Sequence, residues 1–232
     1  MNQKRMMQLS IFVVFFFMFL LAGWYYFSQQ KQAVSTVVER DYDYIMQHDP
    51  IGQNAKAPTH YYTFVLSWSP AFCDIQRKRY GENLPNSLKY QCGKTQQFGW
   101  VIHGLWPQNK FARRVSDQPR FCQGDLPMVK QEVIEQFLAE SPSANLLQGE
   151  WEKHGACAFD KAQDYFAKQQ ELFHTLKFPA YELSSRNELF AWMKKNNPQL
   201  KNIYIGASRN ELFICYDLSW QVIDCPRSRT GY

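Results

Sequence analysis

Two short stretches hold titratable groups that could do chemistry together. One is Ile102-His103-Gly104-Leu105-Trp106-Pro107; the other, about fifty residues on, is Glu150-Trp151-Glu152-Lys153-His154-Gly155-Ala156-Cys157. Each sets a histidine beside a glycine and an indole. The second gathers two carboxylates, an ammonium and an imidazole into five residues, a density of charge that a packed interior tolerates only when the groups are paired or in use. Two imidazoles, with an ordinary pKa of ~6.5, can work as a pair, the neutral one taking a proton and the charged one giving it, each for ~10²- to 10⁴-fold in rate. A nearby ammonium can hold negative charge that builds on the reacting centre, and a carboxylate can orient a proton or hold the cation and imidazole in place. Such a set needs no metal. Metal-dependent hydrolysis would also use histidines and a glutamate, but the chain has neither an HExxH run nor an acidic metal cluster.

The elements must bring these groups together. On a helical turn Glu150, Lys153 and His154 stand at i, i+3 and i+4 and face one way, with Trp151 and Glu152 facing elsewhere. His103 follows the apolar run Phe98-Gly99-Trp100-Val101-Ile102 and precedes the turn formers Gly104 and Pro107, which predicts a histidine at a strand end projecting into a cleft.

Read as a pair, His103-Gly104-Leu105-Trp106-Pro107 and Glu150-Trp151-x-Lys153-His154-Gly155-x-Cys157 resemble the active-site segments of the ribonuclease T2 family, the S-RNase-like endoribonucleases, and the similarity is expected to extend over residues 61–232. The resemblance implies an α+β fold with an antiparallel sheet and packed helices. It also implies RNA as substrate, cleaved by attack of the 2′-hydroxyl on phosphorus to leave a 2′,3′-cyclic phosphate, with no cofactor and no metal. His154 would be the general base and His103 the general acid, Glu150 and Lys153 would stabilise the transition state, and Trp106 would stack on the base before the scissile bond. The chain departs from the family pattern twice. Gly149 stands where many members carry a phosphate-binding histidine, and Gln108 where many carry a base-recognising aspartate. The alternative, a catalytically silent membrane-anchored RNA-binding or interaction domain on the same scaffold, would be marked by loss of His103, Lys153 or His154, and all three are present.

Charge does not announce a nucleic-acid partner. The net charge of +5 includes Lys4 and Arg5, leaving +3 for the rest, so positive potential would have to be focused in a cleft. The six cysteines, with no CxxC pair, point to three disulfides in an oxidising compartment rather than to zinc. The expected pairs are Cys73 with Cys92, Cys122 with Cys157 and Cys215 with Cys225.

Lys4 and Arg5 precede a nineteen-residue apolar run over residues 9–27, enough to span a bilayer at ~1.5 Å per residue. Ala22-Gly23 is followed by bulky aromatics rather than by a small-x-small cleavage site. Residues 1–27 therefore read as an uncleaved signal anchor, with the short basic end in the cytoplasm and the remainder outside it, held in a bacterial periplasm on the inner membrane; secretion after cleavage is the alternative. Residues 28–60 read as a polar stalk with solvated His48 and His60, and residues 61–232 as the catalytic domain.

Within that domain residues 61–68 predict a buried central strand. Ser69 is expected to cap a helix with Pro70 at its first position, and Arg77-Lys78-Arg79 further along that helix form a solvated face or touch an RNA backbone. Pro127 is expected to open a helix bearing Met128, Val133, Ile134, Phe137 and Leu138. Asp160 and Gln163 would cap a second helix, which carries a structural His174, and Ser185 with Glu188 a third. Short strands are expected over residues 203–205, 212–216 and 220–223. Clustered helices flanked by strands make the class α+β.

Overall fold

The run at residues 61–68 is the centre of the sheet in the computed structural model, which describes residues 16, 18–25, 41–94 and 97–226. Five strands, β1 (Tyr61–Trp68), β2 (Trp100–Gln108), β3 (Gly206–Ala207), β4 (Glu211–Tyr216) and β5 (Val222–Ile223), form one antiparallel sheet in the order β2-β1-β4-β3, with β5 also on β4. Aromatic and β-branched side chains fill both faces of β1, so that Phe64, Val65 and Leu66 expose no surface. Six helices pack around it: α1 (Ser69–Tyr80), α2 (Asn86–Cys92), α3 (Gln131–Ile134), α4 (Ala144–Lys153), α5 (Ala162–His174) and α6 (Arg186–Asn196). The class is α+β with an antiparallel sheet.

Several local expectations are corrected. Ser69 does not cap α1; it lies in the first turn, where its buried hydroxyl accepts from Nε2 of Gln91 at 3.1 Å. The helix expected from Pro127 onward shrinks to the four residues of α3. Upstream of it the backbone bonds to α4 instead, Val129 N–H donating to Oε1 of Gln148 and Nε2 of Gln148 donating to the Pro127 carbonyl. Ile134, Phe137 and Leu138 are nonetheless buried, while Met128 is exposed. Asp160 and Gln163 make no cap on α5, whose N-cap position is Lys161. Ser185 does cap α6, accepting from Glu188 N–H, but the Glu188 carboxylate turns to the N–H and hydroxyl of Ser184.

The stalk reading is also corrected from residue 41 onward. The chain forms two units, residues 1–38 and 39–232, and what was read as a linker belongs to the second. Tyr42 is buried, and Asn54 exchanges backbone hydrogen bonds with Arg120 at 3.0 and 3.2 Å. The segment looks polar because its buried contacts are charged pairs, not an apolar face. His48 is exposed, whereas His60 is half-buried and edge-on to Phe111. Of the first unit, residues 16 and 18–25 are helical. Among the described residues no helix is long and apolar enough to cross a membrane, and much of the expected anchor over residues 9–27 lies outside them.

Three disulfides, Cys73–Cys92, Cys122–Cys157 and Cys215–Cys225, fasten α1 to α2, the segment before α3 to the turn after α4, and β4 to the chain beyond β5. Cys122–Cys157 closes a loop of sequence separation 35 that contains all of α4. Replacing both of its cysteines by serine is expected to cost ~2 to 5 kcal/mol in urea unfolding, against a smaller loss for the separation of 10 between Cys215 and Cys225. An unchanged midpoint would contradict this.

Candidate active site

A bulge aims the first histidine. Along β1 and β2 the register runs Val65 against Gly104 and then Leu66 against Ile102, so His103 is the residue without a partner. A bulge of this kind bends the strand and redirects a side chain. The displaced backbone is not left bare. Ile102 N–H donates to the Glu140 carbonyl, and the Tyr165 hydroxyl of α5 both accepts from Leu105 N–H and donates to its carbonyl at 3.1 Å. His103 is therefore not at the end of a strand, as expected, but inside one. Two strands away, Glu211 opens β4 opposite Ser67 of β1, and its carboxylate reaches across to accept from His103 Nδ1 at 2.7 Å. Ser208 donates to the other oxygen of Glu211 at 3.0 Å.

Glu150 meets this histidine from the other side. The last turns of α4 carry it beneath β2, where Oε2 accepts from Nε1 of Trp106 at 2.6 Å and Oε1 lies 3.5 Å from His103 Nε2. Gly104 is obligatory for this approach, because a methyl group there would overlap the Glu150 carboxylate. His154 is the C-cap of α4 and stacks on Trp106, with centroids 5.3 Å apart and planes at 28°, while His103 stands edge-on to the same indole at 5.3 Å. The two imidazoles and the carboxylate thus surround one indole. Trp151 and Glu152 face away, Trp151 packing on Tyr165, and Glu152 accepting from Gln148 and from Leu126 N–H.

The environments of the imidazoles differ in sign. Burial disfavours charge on His103, but its hydrogen bonds to Glu150 and Glu211 and the charge of both carboxylates outweigh that and raise its pKa to about 10. His154 is 8% exposed, and among the described residues its buried Nδ1 has no partner. Burial, helped by Arg120, Lys153 and His103 against the pull of Glu150, lowers its pKa to about 4. Burial opposes charge on Glu150 and Glu211 too, yet their partners keep both below the usual carboxylate range. One imidazole is then charged and the other neutral across the neutral range, the separation that marks an acid and a base.

Lys153 is held not by Glu150 but by Asp49, at 2.9 Å. Gly149 lies inside α4 without a positive φ, and a Cβ there would stand 2.9 Å from Cδ2 of Tyr44. The room that a side chain at 149 would take is occupied by Tyr44. Gln108 is buried at the end of β2, and Arg77, Lys78 and Arg79 lie on an exposed helix face, Arg77 paired with Asp74. Asp49, Tyr44, Arg120 and Glu211 were not anticipated from sequence. The alternation Asp41-Tyr42-Asp43-Tyr44 was the available signal that the N-terminal segment packs. A cavity of about 330 Å³ opens beside Glu211, lined among others by Trp68 and Trp100, whose buried indole N–H groups have no partner among the described residues. Among the described residues no cluster of His, Cys, Asp and Glu could hold a metal ion.

The sequence matches the profile of the Ribonuclease T2 family over residues 59–204. It is 64% identical over 197 residues to a protein of Haemophilus influenzae named "Probable ribonuclease", spanning 84% of this chain and 72% of that one. Among solved structures, the RNase-related protein from Calystegia sepium superposes with a TM-score of 0.53 at 16% identity, over 75% of this chain and 94% of that one. RNase NT in complex with 5′-AMP gives a TM-score of 0.53 at 18% identity with the same coverage. These two likenesses concern the fold.

Following each imidazole by NMR should give titrations near about 10 for His103 and about 4 for His154. Glu211→Gln should lower the first and leave the second nearly unchanged. The charge on His103 stabilises the fold fully below its unfolded value of 6.5, and that contribution is lost as pH rises through about 10. His154 resists protonation, so stability also falls as pH drops from 6.5 towards about 4. Placing a histidine at 149 should displace Tyr44 and cost ~1 to 3 kcal/mol by overpacking; an unchanged melting temperature would refute the packing account.

Proposed function

The chain belongs to the Ribonuclease T2 family and is an endoribonuclease, and we propose that it cleaves single-stranded RNA without a metal, with His154 as base and His103 as acid. His154, neutral, takes the proton of the 2′-hydroxyl. The 2′-oxygen bonds to the adjacent phosphorus and the P–O5′ bond breaks, while His103 delivers its proton to the departing 5′-oxygen. The products are a 2′,3′-cyclic phosphate and a 5′-hydroxyl. The observation that carries this reading is the opposed proton affinity of two imidazoles set around one indole and one carboxylate.

The other groups take roles from their positions. Lys153, with 21% of its side-chain surface exposed, neutralises charge on the pentacoordinate phosphorus. Glu150 orients His103 and Trp106 and balances their charge. Trp106 stacks with His154 and packs against the buried cluster of Val65, Phe213 and Cys215, and what it still exposes is assigned to the base before the scissile bond, a contact worth ~1 to 3 kcal/mol in single-strand binders. The cavity beside Glu211 lies on the acid's side, where the departing nucleoside can lodge.

Three disulfides fit an oxidising, extracytoplasmic compartment. We further propose that an uncleaved anchor over residues 9–27 holds the domain in the periplasm on the inner membrane. Protease added to spheroplasts should then degrade the domain; protection would contradict the topology.

Incubation with RNA in EDTA should yield cyclic-phosphate ends. His103→Ala and His154→Ala should each lower cleavage by at least ~10²-fold in a chain that still folds, His103→Ala at a lower melting temperature because Glu150 and Glu211 lose their charged partner. The double variant should retain far more activity than the product of the two losses, because both groups serve one transition state. Full activity in either single variant would sink the assignment.

A further inference from the structure

Residues 42–54 reach α4 from outside both active-site blocks and enclose the Lys153 side chain. Its ammonium lies 4.8 Å from the centroid of the Tyr44 ring, and the Tyr44 hydroxyl donates to Oδ2 of Asp49 at 3.2 Å. Asp49 also accepts from Lys153 at 2.9 Å and from Nη2 of Arg120 at 2.7 and 2.8 Å. Only 4% of the Asp49 side chain and 5% of that of Arg120 are exposed, against 21% for Lys153. A carboxylate so covered, with charge-assisted bonds to two cations, holds both in fixed geometry. Of the two, the ammonium is the one that reaches solvent. Phe121 closes the far side. Its φ of +48° is unusual for an aromatic residue, its N–H donates to the Lys153 carbonyl at 3.0 Å, and its ring centroid is 5.9 Å from Nζ. Backbone strain of this sort persists where the surroundings dictate it, and it clusters at functional sites.

We propose that Asp49 is a positioning residue which, with Tyr44 and Arg120, fixes the Lys153 ammonium for the reacting phosphate, making residues 42–54 part of the catalytic apparatus. This rests on the role of Lys153 proposed above. Without the carboxylate, two cations would repel across a buried gap and the ammonium would swing between rotamers. The charge it meets is greatest on the pentacoordinate phosphorus, so the loss falls on kcat rather than on KM.

The test is a double-mutant cycle in the full-length chain on a short oligoribonucleotide. Asp49→Asn should lower kcat about tenfold with KM changed less than about threefold, and should cost less than about twofold in a Lys153→Ala background. Equal losses in both backgrounds, or none in either while Lys153→Ala alone is impaired, would overturn the inference and leave the role of Lys153 standing. A wild-type kcat for Lys153→Ala would overturn that role and the inference with it. If thermal melting shows Asp49→Asn to be unfolded, Asp49→Glu, which keeps the charge but moves it by one methylene, enters the same cycle with an expected loss of about twofold to fivefold and the same criteria.

Discussion

A buried carboxylate governs the centre of this molecule. Glu150 has 9% of its side-chain surface exposed and keeps its charge, which an unpaired carboxylate in that position could not do. Its partners are Trp106 Nε1 on one oxygen and His103 on the other, with His154 stacked on the indole between them. The requirement reaches into the backbone. Position 104 must lack a side chain so that the carboxylate can enter, and β2 must bulge so that His103 turns towards it. The two sequence blocks are therefore one electrostatic unit, built from a strand irregularity and the end of a helix.

Glu150 attracts a proton to both imidazoles but hydrogen-bonds only His103. The outer neighbours widen that asymmetry. Glu211 bonds His103 and adds a second negative charge there, whereas His154 is buried with Arg120 and Lys153 nearby and no carboxylate bonded to its ring. An acid and a base thus arise from identical side chains through what lies behind each one. The frame that preserves the difference is β1, flanked by β2 and β4 so that residues 103 and 211 share a face, together with Cys122–Cys157, which fixes the end of α4.

The legible part of the site was the part whose groups are close in sequence. His103, Trp106, Glu150, Lys153 and His154 stand in two short runs of unusual composition, and the central strand was plain from its aromatic and β-branched content. Glu211 was invisible because it lies 108 residues from His103 and is brought near by strand order alone. Asp49 lies 71 residues from Arg120, in a segment whose polar composition suggested solvent exposure. Burial by charge pairing leaves no hydrophobic period to read. The cap at Asp160 and the helix from Pro127 failed for a related reason. Local patterns compete with tertiary hydrogen bonds, and Gln148 of α4 won the backbone around Val129.

Gly149 has its role set by a neighbour from outside both active-site blocks. Taken from sequence, it was a missing phosphate-binding group; in the fold it is the space into which Tyr44 packs, beneath a lysine that Asp49 holds. The charges around the site then balance. Asp49, Glu150 and Glu211 face Arg120, Lys153 and His103, while His154 stays neutral. In the proposed reaction the incoming phosphate meets two cations already fixed by carboxylates behind them, and the reorganisation that free side chains would undergo has been completed by folding.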